Sequence, residues 1–378
     1  MKRIASLSIV LALLLPACGE DSQGYDQAQL DQARRALPTR ALLTASVPEA
    51  TMKGLQLNVL GAPAVFPQEV LPVATEINGT IGNLLDILEI VVEQPPTVYD
   101  SDKAEFVWGP FDDSDTVMLG DTVYVWVKDM GANSGEDFRY GYAVVRGMGR
   151  DMAKNKAVIW GAANPDPDNE DHGAGVVIWD FEANREFEDE NNPNHGELDE
   201  GRFAAVYIRD DDANEPDTEV GIVVAAFRDF VAKDDQPAEP GDLDYLYGAV
   251  EGVDVRFDFM DFRLTGNLDD ATEAEEFLDV QMAFYNGTGR AEAIGAGGDI
   301  PQDASIESTE CWNAGLLREY YSFEAVLGDG TRQPIAPTEG EPTACTMQSL
   351  DDVPSLDDVD AEMLDALADV ATNGIPTE

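Results

Sequence analysis

Between residues 69 and 93 the apolar residues Val73, Ile77, Ile81, Leu84, Leu88 and Val91 recur at steps of three and four, the spacing that lays one stripe along a helix. Gly79 and Gly82 weaken that helix by up to about 1 kcal/mol each relative to alanine, and Pro95-Pro96 stops it. Upstream, Asp26 followed by Gln29 caps a short helix through about Ala36, ahead of Pro38. Beyond Pro96 the texture changes to short runs rich in Val, Ile, Tyr, Phe and Trp between acidic, Gly-rich or Asn-rich turns, which predicts a β domain. Strands are expected over residues 104–108, 122–127, 138–145, 157–161, 176–181, 203–209, 220–230, 253–264, 277–285 and 318–326. Strands in file make an antiparallel meander the simplest topology.

Two of these segments say which faces are covered. Residues 253–259 alternate apolar and charged, so one face is buried and the other wet, and after Met260 the pattern slips to Phe262 and Leu264. A one-residue slip reverses sidedness, so a β-bulge or bend is expected near Met260-Asp261. Residues 220–230 are apolar at odd and even positions alike, which predicts cover on both faces, the 69–93 helix supplying one side. Near the end, Ser355 and Asp358 open a run with Leu356, Val359, Met363, Leu367 and Val370 on one face, stopped by Gly374. Its other side is acidic, so docking on its own domain is expected rather than membrane binding.

The fold class predicted is α+β: a large curved antiparallel β-meander, an open or half-barrel sheet, with N-terminal amphipathic helices and a short C-terminal helix. The organisation expected is a signal peptide at 1–17, a tether at 18–26, a helical segment packing on the sheet at 27–96, and the β domain at 97–330. A Pro- and acid-rich segment follows at 331–354, then the C-terminal helix and tail at 355–378.

The start of the chain carries Lys2 and Arg3, then an apolar run from Ile4 to Leu15 broken at Pro16, the layout of a signal peptide. About a dozen residues are too few to span a bilayer, and no later segment is longer and uncharged, so no transmembrane helix is expected. The stretch Leu15-Pro16-Ala17-Cys18-Gly19 resembles the lipobox of bacterial lipoproteins. The resemblance implies a diacylglyceryl group on the Cys18 thiol, cleavage before Cys18 and acylation of the new amino group, palmitate being the usual chain. Two or three acyl chains anchor firmly where one is marginal. Gly19 after the cysteine implies the outer membrane by the enterobacterial sorting pattern.

Charge changes the picture of partners. There are 75 acidic and 23 basic residues, a formal net charge of −52, which excludes nucleic acid. Self-repulsion of this size destabilises a compact state unless salt screens it, so the chain is salt-adapted. With Cys18 carrying lipid, Cys311 and Cys345 form an even pair in an oxidising compartment and are expected to be bridged. Closing a loop of about 35 residues contributes about 3 to 4 kcal/mol.

The chemistry on offer is sparse. His172 and His195 both lie in acidic loops with no cysteine near in sequence, so the spacing predicts no zinc site. Carboxylate loops suit calcium better, and Asp166, Asp168, Glu170 and Asp171, with Asp210, Asp211 and Asp212 in a later connection, are the residues that would bind it. Neither loop has the register of an EF-hand, and in a chain this acidic such clusters are expected as solvated surface. No Gly-x-Ser-x-Gly elbow occurs, and the two carboxylates of a glycosidase are permitted by composition without being indicated. The aromatics on predicted strands are explained mostly by core packing, with an apolar groove as the functional reading and Tyr140, Tyr142, Phe257 and Phe259 as its lining. The function expected is a non-enzymatic, membrane-anchored binding protein for an apolar ligand or an envelope partner. A calcium-assisted surface adhesion or structural module is the alternative, and a carbohydrate-active hydrolase the third.

Overall fold

Long stretches of continuous burial, with apolar residues at odd and even positions alike, make this chain a single sheet covered on both faces. In the computed structural model, residues 25–45, 61–112, 121–131, 138–148, 151–192, 195–212, 215, 217–231, 233, 241–266 and 275–373 are described. Among these residues sixteen strands form one sheet: β1 (Val98–Asp100), β2 (Glu105–Asp112), β3 (Asp121–Asp129), β4 (Tyr140–Met148), β5 (Asp151–Pro165), β6 (Gly173–Asp180), β7 (Glu200–Asp211) and β8 (Glu219–Val231) come first. They continue as β9 (Gly241–Glu251), β10 (Arg256–Gly266), β11 (Glu276–Tyr285), β12 (Thr288–Gly297), β13 (Ser305–Trp312), β14 (Arg318–Val326), β15 (Arg332–Pro334) and β16 (Glu339–Gly340). From β1 to β15 the strands lie in chain order, each antiparallel to the next, and β16 joins β15 against β14. The protein is thus mostly antiparallel sheet with few helices, a curved meander that does not close.

The helices are α1 (Gln27–Arg35), α2 (Arg40–Leu43), α3 (Val65–Glu93), α4 (Phe181–Asn191) and α5 (Ala361–Asn373). Side chains such as Tyr142, Phe203, Ala225, Tyr245 and Met282 share a core with α1, α2 and α3 on one face of the sheet. Their strand neighbours Ala143, Ala204, Ala226, Leu246 and Ala283 point the other way, into a second core closed by Leu350, Val353, Leu356, Leu367 and Ala371 of the C-terminal segment. Large rings on the first face need small neighbours. A Cβ on Gly161 would collide with the Tyr142 hydroxyl and one on Gly175 with that of Tyr207, so glycine at these two strand positions makes room for the tyrosines.

Cover on both faces corrects one expectation. No bulge occurs at Met260-Asp261: the ladders of β10 with β9 and β11 run through without a register shift. Phe257 and Phe259 face the C-terminal core, while Met260, Phe262 and Leu264 face the helices. The apparent slip arose from assuming one wet face, when both are buried. Strand β8 is covered on both sides, by α5 on one and on the other by the core it shares with α1, α2 and α3.

The amphipathic character assigned to the N-terminal helices is not supported. Val73, the first residue of the assigned stripe, is 39 % exposed, and Leu85, off that stripe, is buried beside Ile77, Ile81 and Leu88. Leu84 and Val91 are outside the described side chains. Apolar residues occur on several sides of α3, so a count at helical spacing does not define one face.

At the C-terminus Ser355 and Asp358 form a reciprocal capping box on a single 3-10 turn, and α5 starts only after it. α5 packs against β6, β7 and β8. Cys311 and Cys345 are joined in a disulfide, tying the segment after β16 to β13. Among the described residues, no helix is long and apolar enough to cross a membrane. Cys18 and the rest of the signal region lie outside the described residues.

Candidate functional site

Helix α3 starts at Val65, one turn before the sequence pattern indicates, and the reason is a residue far away in the chain. The first N–H groups of a helix have no partner within it. Here the Val65 N–H donates to Glu310 Oε1 at 2.9 Å and the Phe66 N–H to Glu310 Oε2 at 2.8 Å. Pro67 has no N–H to satisfy and is tolerated in a first turn. Glu310 comes from β13, is fully buried and receives the Arg318 Nε hydrogen at 2.6 Å. A carboxylate against a helix N-terminus also suits the helix dipole. The chain leading into α3 is strapped to the loop before β14 by the bonds Ala64 N–H to Leu316 O, Arg318 N–H to Ala62 O and Gly61 N–H to Arg318 O.

This anchorage leaves a cavity between the first turns of α3 and strands β10 to β14, with a volume of about 580 Å³. Its walls include Phe66 and Val73 from the helix and Phe262, Leu278, Ala293 and Phe323 from the sheet. Glu69, Ser308 and Tyr321 are its polar side chains, and the Ser308 hydroxyl already donates to Ser322 O at 3.1 Å. Burial pushes the Tyr321 phenol upward in pKa, and the Arg318 guanidinium lies over its ring at 4.4 Å. The half-exposed Val73 stands at the edge. A cavity of this size, mostly apolar with a few polar groups, is what ligand sites commonly offer. At the other end of α3 a cavity of about 220 Å³ lies by Leu88, Trp179 and Phe181, with Arg146 in its wall.

No protein-family model, no curated protein and no solved structure matches this chain.

The four aromatics expected to line a groove are not brought together. Tyr140 and Tyr142 are buried in the core on the helix side, and Phe257 and Phe259 pack against the C-terminal core on the other face. Burial pushes the Tyr140 phenol up to about 12, and the Tyr142 hydroxyl donates to Val176 O at 3.0 Å, so both serve the core. The cavity's wall residues on β12 and β13, Ala293, Gly295, Ile306 and Ser308, were missed because these strands are poor in the bulky residues that mark strands.

The acidic loops are arranged differently from a calcium cage. Asp166 Oδ1 accepts the N–H groups of Asp168 and Asn169 at 2.7 and 2.8 Å, a local turn that holds its pKa below the ordinary carboxylate value. Asp168, Glu170 and Asp171 are exposed, and Asp210 Oδ1 accepts the N–H of Asp211. Among the described residues these carboxylates do not converge with one another, nor do Asp210 and Asp212. What does converge is His172, Asp211 and Glu219, whose ligating atoms all lie within 4.8 Å of one another. Two of those three, His172 and Glu219, are not among the residues the sequence nominates for a metal.

Proposed function

We propose that this is an exported lipoprotein, held to a membrane through lipid on Cys18, that binds an apolar ligand in the cavity between α3 and β10–β14. The observation that carries this reading is the cavity itself: about 580 Å³ walled almost wholly by hydrocarbon. Lipid-like molecules match such walls. Glu69 within the wall and the net charge of −52 disfavour a second carboxylate, so the ligand is uncharged or cationic rather than a fatty acid.

Ala293 lies in the cavity wall, and Ala293→Trp would fill the space. Native mass spectrometry of the full chain from a membrane extract is expected to show a lipid-sized adduct, absent from this variant. An uncharged fluorescent apolar probe is expected to bind the variant at least about tenfold more weakly, while overpacking costs about 1 to 3 kcal/mol of stability. A wild-type protein free of adduct and unable to bind the probe would remove the reading, as would equal binding by the variant.

For the anchor, metabolic labelling with a palmitate analogue is expected to mark the wild-type chain and not Cys18→Ser, and the variant is expected to leave the membrane fraction. Label retained on the variant would refute anchorage at Cys18.

A further inference from the structure

The turns between β5 and β6 and between β7 and β8 lie at one end of the sheet, and they meet at His172. The ring is only 4 % exposed, and its Nε2 is buried without a hydrogen-bond partner among the described residues. The backbone fixes it on both sides: the His172 N–H donates to Asn169 O and its carbonyl accepts from Asp166 N–H. A buried polar nitrogen left unpaired costs about 1 to 3 kcal/mol, so something is expected to meet it. Its nearest charged neighbour is Glu219 Oε1 at 3.7 Å, too far for a hydrogen bond.

That spacing fits two ligands of one ion better. With metal–nitrogen and metal–oxygen bonds of about 2.0 to 2.2 Å, tetrahedral geometry places ligand atoms about 3.4 Å apart, within a small side-chain adjustment of the distance seen. The other oxygen of Glu219, Oε2, accepts from Arg209 Nη2 at 2.7 Å, an outer contact of the kind that orients metal ligands.

The ladder supplies a second, independent reason. Asp211 on β7 is directly opposite Glu219 on β8, which is directly opposite Glu251 on β9. Like charges facing each other across strands are destabilising. Arg209, bonded to Glu219 and 3.9 Å from Glu251, and Arg256, 3.2 Å from Glu251, offset two of these three charges and leave the Asp211 carboxylate for a cation.

We propose that His172, Asp211 and Glu219 bind a first-row divalent metal ion, Zn²⁺ being the ion that an imidazole and two carboxylates suit best. Calcium takes oxygen ligands only, so the imidazole selects against it. Three protein ligands leave a fourth position for water, on the side of the exposed Asp211. Bound there, the ion would pin the β5–β6 turn to the β7–β8 hairpin. This site is on a different part of the sheet from the apolar cavity and does not depend on it.

The full chain, stripped with EDTA and returned to millimolar calcium to saturate its acidic surface, is to be titrated with ZnCl₂. One equivalent is expected to be retained through gel filtration and to raise the thermal midpoint. Co²⁺ in its place is expected to give visible ligand-field bands. Asp211→Asn alters an exposed side chain and keeps the fold, and it is expected to weaken Zn²⁺ binding at least about tenfold. His172→Gln is expected to abolish the Co²⁺ spectrum. If His172→Gln does not fold, Asp211→Asn decides alone. No retained Zn²⁺ in calcium, or retention undiminished in Asp211→Asn, would overturn the proposal and assign any uptake to the acidic surface.

Discussion

Replacing Arg318 by methionine is expected to destabilise the protein by about 3 to 5 kcal/mol, because it leaves the buried Glu310 carboxylate without its counter-charge. Arg318 and Glu310 are 1 % and 0 % exposed, and the guanidinium also reaches Glu339 Oε2 at 3.4 Å. A register shift between Cys311 and Trp312, where β13 meets the start of β14, lets Arg318 turn inward, as bulges commonly re-aim a side chain. Glu310 is thus the junction of three elements: β13, β14 and the N-terminus of α3. Removing both charges tests the mechanism. The double variant Glu310→Gln, Arg318→Met keeps an amide oxygen for a helix N–H and is expected to be more stable than Arg318→Met alone. Urea midpoints at unchanged slope read the difference. A single variant within about 1 kcal/mol of wild type would show that the pair does not hold the helix. Because Val65 and Phe66, the residues that Glu310 caps, also line the apolar cavity, the single variant is expected to bind the apolar probe more weakly as well.

How much of this was legible in the sequence depends on whether a signal is local. The strong β segments of β8 and β10 were readable from β-branched and aromatic runs, and the disulfide from two cysteines remaining after Cys18. Strand β12, Thr-Gly-Arg-Ala-Glu-Ala-Ile-Gly-Ala-Gly, and strand β13, rich in Ser, Glu and Thr, were not. They are strands because their neighbours supply complete ladders on both sides, and cross-strand context outweighs propensity. Their small residues are what leaves room for the cavity, so the element hardest to read was the one that shapes the site. The capping of α3 by Glu310 spans more than 240 residues, and the approach of Glu219 to His172 depends on which strands pair. Composition and periodicity carry neither. The misread slip at Met260 had a different cause: the alternation was correct, but Asp258 and Asp261 were taken as solvated when both are buried.

Asp261 gives the pH dependence. Its side chain is 1 % exposed beneath the C-terminal segment, where Oδ2 accepts the Leu356 N–H at 2.7 Å. Burial, reinforced by the nearby charge of Asp279, pushes its carboxyl up to about 7 from an ordinary 3.8. Asp279 itself is engaged by Arg263, which bridges on to Asp357, and Gln281 donates to Val353 O. The segment from Leu350 to Asp358 is therefore held by buried leucines and by a polar row that includes one carboxyl raised in pKa by burial. Below about pH 4 Asp261 is protonated in folded and unfolded chains alike and contributes no slope. Between about pH 4 and 7 the unfolded chain releases the proton while the folded chain keeps it, so stability falls as pH rises. A difference of about three pH units, at 1.36 kcal/mol each, makes that fall about 4 kcal/mol. Asp261→Asn retains an oxygen for Leu356 and has nothing to ionise. It is expected to match wild type at pH 4 and to exceed it by up to about 4 kcal/mol at pH 8. Many other carboxylates titrate in the same range, so the measurement is the difference between the two urea-unfolding curves, pH by pH. Curves that stay parallel from pH 4 to 8 would mean that Asp261 is ionised in the fold, and that the C-terminal segment docks on a charge rather than on a proton.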